Sequence, residues 1–202
     1  MKGERCRIVG LTGGIGAGKS VVARILREKG FEVYDCDREA KILMEHSEYI
    51  VASLRNRFGE LCYLPDGHLN RPFLSEKIFS SEEERLWLNA LIHEAVRADI
   101  RRCIENEHNG REVLFVESAI LHTSRLDRAC CCVWLVTAPE SLRFTRALQR
   151  GGIGVDNLQA RMLAQKKEFD AIECSCIIEI DNSGSRSLLR QIDDALETIC
   201  KK

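Results

Sequence analysis

The stretch Gly13-Gly14-Ile15-Gly16-Ala17-Gly18-Lys19-Ser20 constrains this chain more than any other. It fits the spacing G-x-x-x-x-G-K-[ST]. The apolar run Ile8–Leu11 ahead of it suits a short buried strand. Val21–Lys29 behind it places apolar residues at 22, 25 and 26 and stops at Gly30, as an amphipathic helix does. Strand, glycine loop and helix in that order are the setting in which such a loop grips phosphate. Glycines let backbone amides close on an anion, and the positive end of the helix dipole points to the same place. Lys19 adds a full charge for the β- and γ-phosphates, and Ser20 a hydroxyl for Mg²⁺. The bland alternative is a glycine-rich turn that binds nothing, and the agreement of both flanks weighs against it. A dinucleotide pattern read from Gly14 and Gly16 fails because position 19 is lysine.

A chain of 202 residues is long enough for one domain with an inserted subdomain. A net charge of −1 gives no field to draw it to nucleic acid or a membrane. No apolar run approaches the roughly 20 residues needed to span a bilayer, and the N-terminus lacks a signal-peptide layout. The expectation is a cytoplasmic protein acting on a small molecule, as a monomer or weak homo-oligomer. The ten cysteines are Cys6, Cys36, Cys62, Cys103, Cys130, Cys131, Cys132, Cys174, Cys176 and Cys200, with no C-x-x-C pair. Reduced core thiols are the plain reading in a reducing compartment. The alternative is a soft-metal or redox site built from Cys130–Cys132 with Cys174 and Cys176. Those runs would start neighbouring strands, at the sheet end away from the phosphate loop.

Further strands are expected at Phe31–Asp35, Glu112–Glu117, Cys131–Thr137 and Cys176–Asp181, each followed by helix-like sequence, with a last helix over Ser187–Cys200. Strands alternating with helices predict an α/β fold, a parallel five-stranded sheet flanked by helices. Asp35 and Asp37 end the second strand, where open α/β sheets place ligands. Extended backbone would turn both carboxylates to one side, for metal water contacts and a catalytic base. Alternatively, Asp37 N-caps a helix over 38–46. Residues 38–110 read as a helical insertion with a loop near 61–72, and Arg71 precedes a helix expected from about Pro72. His93 lies on an apolar helical stripe, where it is a ligand or a packed residue. Glu117 ends the third strand facing the loop, or caps a turn, or pairs with a lysine. Residues 140–169 carry Arg143, Arg146, Arg150, Arg161, Lys166 and Lys167 around Gly151-Gly152-Ile153-Gly154. This is a solvated basic helix or a glycine-hinged lid, whose arginines would close on phosphates at a rate benefit of roughly 10³–10⁵.

The motif calls for a nucleoside triphosphate. No N-K-x-D argues for a GTPase, no paired Asp-Glu ends the third strand, and no H-R-D or D-F-G marks a protein kinase. A small-molecule kinase remains, with the insertion for its acceptor. The chain resembles the dephospho-coenzyme A kinases over nearly its whole length. The resemblance rests on Leu11–Ser20, Asp35-Cys36-Asp37, Arg71 with Leu74 and Ile78-Phe79, and Leu88-Asn89-Ala90-Leu91-Ile92-His93. It continues through Glu117-Ser118-Ala119-Ile120-Leu121, Arg146 with Arg150, Arg161 and Gln165, and Asn182-Ser183-Gly184. Glu94 stands where the family has proline, Glu117 for its aspartate and Ala119 for another proline. The family's Ala-Asp ahead of the fifth strand is absent.

The resemblance implies ATP-dependent phosphorylation of the ribose 3′-hydroxyl of dephospho-coenzyme A. It makes Asp37 the general base, and Lys19 and Arg146 its catalytic partners. Residues 13–20 with Arg146, Arg150 and Asn182 would hold ATP, Ser20 would hold Mg²⁺, and Asp35, Asp37, Arg71, His93 and Glu117 would face the acceptor. The rival readings are a kinase of another nucleoside or nucleotide, a nucleotide-binding protein without chemistry, and a zinc- or redox-regulated variant.

Overall fold

A computed structural model describes residues 7–106, 112–151 and 154–200, and the side chains of 106 and 200 are outside that description. Cys6, Gly152 and Ile153 of the expected hinge, and the end of the expected 38–110 insertion therefore lie outside the described residues. The chain divides into two compact units, Met1–Tyr34 with His108–Lys202, and Asp35–Glu107.

The first unit is built on β1 (Arg7–Gly13), followed by α1 (Lys19–Glu28) and β2 (Glu32–Asp35). After the other unit come β3 (Val113–Glu117), β4 (Cys132–Thr137), α6 (Glu140–Gln149), α7 (Val155–Asp170), β5 (Ile177–Asp181) and α8 (Leu188–Cys200). The sheet order is β2-β3-β1-β4-β5. β1 runs parallel to both of its neighbours, with Leu11 level with Glu117 of β3 and with Trp134 of β4. The five-stranded parallel sheet is thus the expected one. Because β1 is central, its carboxyl end opens at the middle of the sheet edge, where the glycine loop begins.

Val9, Leu11, Phe115, Trp134 and Val136 form the middle of the core, covered by Val22, Ala23 and Leu26 of α1 and by Ile192, Ala195 and Ile199 of α8. Phe115 meets Trp134 and Phe31 edge-on, at 5.0 and 5.5 Å between ring centres, a favoured aromatic arrangement.

One connection departs from expectation. No α-helix follows β3; residues 118–131 form turns with a short 3-10 segment at Asp127–Ala129. Side chains take the backbone groups that a helix would have used. Ser118 Oγ accepts from Ile120 N, and Ser124 Oγ donates to Ile120 O. Glu168 of α7 accepts from His122 N, Thr123 N and the Thr123 hydroxyl. Buried Asp127 accepts from Arg128 N and Glu173 N.

The second unit contains α2 (Cys36–His46), α3 (Glu48–Phe58), α4 (Arg71–Ser80) and α5 (Glu82–Asn106). Its core is Ile50, Leu54, Cys62, Tyr63, Leu69, Leu74, Leu88 and Leu91. Between α3 and α4 the chain turns at Gly67, φ 87°, and Tyr63 bridges Leu69. The Tyr63 hydroxyl donates to Met44 O at 2.6 Å, and burial pushes its phenol up to about 12. Asn70 caps α4 by accepting from Phe73 N, so that helix starts one residue ahead of Pro72.

Candidate functional site

The glycine loop is shaped by what surrounds it. Gly18 begins α1 at φ 99°, and a Cβ there would lie 2.1 Å from Asn182 Nδ2. That amide donates to Ala17 O at 2.8 Å, so the loop after β5 clasps the phosphate loop. Gly18 has no side chain with which to cap α1, which leaves the helix start suited to an outside anion. Lys19 Nζ donates to Gly13 O at 2.7 Å, arching back over the loop. Ser20, the next residue, is exposed.

The α6–α7 pair is fastened to the same loop. Ile15, like Phe144, packs against the cluster of Ala147, Leu158 and Met162, and Ile15 N donates to Gln165 Oε1 at 2.7 Å. Arg146 donates through both terminal nitrogens to Asn182 O, each at 3.1 Å. Arg150 ends α6 and is exposed. Gly16, Gly18, Val21, Arg146, Gln149, Arg150 and Asn182 line a 370 Å³ cleft. Three residues expected to hold ATP from outside the loop, Arg146, Arg150 and Asn182, therefore share one hollow with it. Beside it, the Ser183 backbone N–H and then the Ser185 and Ser183 hydroxyls hold the Asp181 carboxyl below its ordinary range.

Arg143 was placed by sequence only among the basic residues of this segment. Its Nη1 lies 2.7 Å from where a Cβ on Gly14 would be, so any side chain at 14 would displace it. Its Nε is buried without a hydrogen-bond partner. A guanidinium held against a phosphate loop with a buried, unmet donor calls for an explanation.

Glu117 closes β3 level with Leu11, and Ser118 N donates to Leu11 O. Asp35 ends β2 on extended backbone, whereas Asp37 lies in the first turn of a helix, so the two do not share the extended run that would turn both carboxylates to one side. Helix α2 begins at Cys36, and Asp35 is its N-cap, accepting from Asp37 N at 3.1 Å and Arg38 N at 3.0 Å. Capping falls to Asp35, not Asp37, and Asp37 is an exposed first-turn residue. The carboxylate of Asp35 satisfies two otherwise orphaned amides. Arg71 Nη2 lies 3.4 Å from Glu45 Oε1, and His93 is half-buried on α5.

The reduced-thiol expectation holds at Cys36, Cys62, Cys103, Cys130, Cys131 and Cys174 and fails at Cys132 and Cys176, which form a disulfide. They face each other across β4 and β5, one step before the Val133–Ile177 pair. Among the described residues, no three His, Cys, Asp or Glu are grouped to hold a metal ion, and no helix is long and apolar enough to cross a membrane.

A parallel sheet carrying this loop at its central strand end, with arginine-bearing helices packed on the loop, defines a P-loop kinase. The dephospho-CoA kinase family model matches residues 7–187. A dephospho-CoA kinase of Porphyromonas gingivalis is 36% identical over 96% of this chain and 95% of its own length. One from Corynebacterium diphtheriae is 36% identical over 92% and 93%. The solved dephospho-CoA kinase of Campylobacter jejuni superposes with a TM-score of 0.69 at 20% identity, covering 96% of this chain and 97% of its own, a likeness of fold. The chain belongs to the dephospho-CoA kinase family. It is a phosphotransferase with an alcohol acceptor, and its reaction is the last step of coenzyme A synthesis.

Proposed function

We propose that the chain transfers the γ-phosphoryl of ATP to the ribose 3′-hydroxyl of dephospho-coenzyme A, with Asp37 as general base. The reading rests chiefly on the glycine loop, to which Asn182 and Gln165 are hydrogen-bonded and against which Arg143 packs. Asp37 takes the hydroxyl proton, the 3′-oxygen bonds to the γ-phosphorus, and ADP leaves with the electrons of the broken bond. Asp35 serves as the cap that orients the first turn of α2. Lys19 and Arg146 offset charge that spreads over the moving phosphoryl group, and Arg150 and Asn182 hold the nucleotide. Arg71, His93 and Glu117 serve the acceptor, and residues 38–110 form its binding insertion. Residues 140–169 act as the lid.

Mg²⁺ fits this chemistry. It takes few protein oxygens and completes its shell with phosphate oxygens and water, and exposed Ser20 at the start of α1 supplies such an oxygen. When bound, it would neutralise phosphate charge. The enzyme works in the cytoplasm, as a monomer or weak homo-oligomer, and no nucleic acid or membrane partner enters the reading.

The test is ATP consumption with dephospho-coenzyme A, uridine and nucleoside monophosphates as acceptors, with and without Mg²⁺. Turnover with dephospho-coenzyme A alone is expected; preference for another acceptor overturns the substrate. Asp37→Asn is expected to lower turnover by at least about 10²-fold, the scale of a positioned base, with ATP binding retained. Near-normal turnover removes Asp37 from that role.

A further inference from the structure

Among the described residues, the cysteines at the amino ends of β4 and β5 form a cluster of thiols that phosphoryl transfer does not use. We propose that Cys132–Cys176 is a reversible thiol–disulfide exchange site for a low-molecular-weight thiol, and that its oxidised state holds strand β5, and through it Asn182, in place. The proposal goes beyond the kinase reaction. Its link to nucleotide rests on the reading of Asn182 as an ATP residue.

Several observations carry it. β5 is an edge strand whose sole strand neighbour is β4. Ile177, 50% exposed, and Glu179 face solvent, Ile178 and Asp181 are half-buried, and Ile180 alone of the five is buried. An edge strand so little buried is weakly held by packing alone. The disulfide ties its amino end to β4, and the bridged pair closes a loop with 44 residues of separation that contains all of α6 and α7. At its carboxyl end, Asp181 exchanges two hydrogen bonds with Gln191 of α8. The next residue is Asn182, which grips Ala17 and receives Arg146. A single five-residue strand thus joins the redox pair to the clasp on the phosphate loop.

The chemistry of the corner suits exchange. Cys132 is 2% exposed, whereas Cys176 is half-buried, so an outside thiolate meets the sulfur of Cys176. Its attack forms a mixed disulfide with Cys176, breaks the Cys132–Cys176 bond, and leaves the electron pair on Cys132, which takes up a proton. A second thiol attacks the sulfur of the bound small molecule, releasing the small disulfide and a Cys176 thiol. Two thiols are oxidised, the protein disulfide is reduced by two electrons, and the reverse course restores it. Cys130 and Cys131 compete poorly. Burial pushes Cys130 up to about 12 and raises Cys131 as well, and thiols held protonated are poor nucleophiles. Cys174 lies alongside, its thiol directed at the carbonyls of Cys130 and Cys176. In a reducing compartment, a disulfide of this kind is a sensing rather than a permanent bond.

The experiment equilibrates the full-length protein in reduced and oxidised glutathione buffers and reads three quantities. Peptide mapping is expected to find Cys132 and Cys176 linked in the oxidised protein and alkylated in the reduced one. The thermal midpoint should fall on reduction by roughly 8–16 °C, the scale for opening a loop of this length in a protein of this size. Amide exchange in Ile177–Asp181 should accelerate on reduction, and the ATP dissociation constant should rise at least about threefold, beyond ordinary scatter. Cys132→Ala with Cys176→Ala should behave as the reduced protein in either buffer. Failure of the two cysteines to link, or linkage with unchanged β5 exchange, overturns the proposal. Faster β5 exchange with unchanged ATP affinity keeps the exchange site and overturns the link through Asn182 instead.

Discussion

The phosphate loop and the helical unit Asp35–Glu107 reach order by different routes. In the loop, order comes from backbone and from what glycine leaves out. Asn182 fits only because Gly18 has no Cβ, and Arg143 lies where a side chain on Gly14 would have been. In the helical unit, order comes from side chains. Ile50 and Leu54 are fully buried, Asp35 and Asn70 cap their helices, and Arg57 bridges two glutamates. The first route tolerates almost no substitution but contributes little apolar burial. The second tolerates conservative change and supplies burial. Function-directed variants should therefore damage the loop without unfolding the protein, and core variants in the helical unit should do the reverse.

The sharpest break is Lys19→Ala. Its ammonium arches over the loop to Gly13 and is the one motif residue with a full charge. Steady-state assays should show kcat lowered by at least about 10²–10³-fold, the cost of removing one preorganised charge-stabilising donor. Circular dichroism and the thermal midpoint should stay at the wild-type values. A variant that merely needs more ATP while keeping kcat would make Lys19 a binding residue.

Leu54→Ala is the converse. Leu54 is 0% exposed within the helical unit's core. Truncating such a leucine costs about 2–5 kcal/mol, transfer and cavity together, which urea titration measures. The ATP dissociation constant of the folded protein should be unchanged; a matching loss of affinity would show that the loop borrows its order from the helical unit.

Arg143→Ala tests the loop's second layer. The unmet Nε of this residue beside Gly14 predicts an ATP KM raised by roughly tenfold or more, since hydrogen bonds to charged groups contribute about 1.5–3 kcal/mol. Arg143→Lys should recover little, because an ammonium lacks the planar fork. A normal KM in both variants would leave the residue a packing element of α6.

The same contrast explains what could be read from the chain. Residues 13–20 were legible because the spacing is itself a backbone requirement, and the sheet because its strands are short apolar runs between helices. The helix expected over 38–46 starts two residues earlier, at Cys36. Whether Asp35 or Asp37 caps depends on where β2 lets go, and both residue types serve equally well. The connector after β3 is not helical because Glu168 takes the N–H groups of His122 and Thr123 and Asp127 takes that of Arg128, and Glu168 lies 46 positions beyond His122, out of reach of local spacing. Arg143 sits one turn before Arg146 in a run of basic residues, and spacing alone does not distinguish the arginine that reaches the loop. The Cys132–Cys176 pairing depends on the register of β4 with β5, which adjacency of the strands leaves open.

The smallest expected effect is also the cleanest probe of side-chain order. Arg57 Nε meets Glu84 at 2.9 Å, Nη2 meets Glu83 at 3.0 Å, and the guanidinium lies 5.4 Å from the centre of the Trp87 ring. Hydrogen bonding to Glu84, then to Glu83, raises its affinity for the proton. The group is nonetheless solvent-screened, and exposed ion pairs contribute little. Arg57→Ala should lower the thermal midpoint by only about 1–3 °C at low salt. In about 1 M salt the charge component is screened, whereas the arginine stem's contact with Trp87 is not. The gap between wild type and variant should therefore narrow in high salt without closing. A gap that closes fully would make the site purely ionic. A gap that does not move would make it packing alone, and would place Arg57 with Leu54 rather than with the surface.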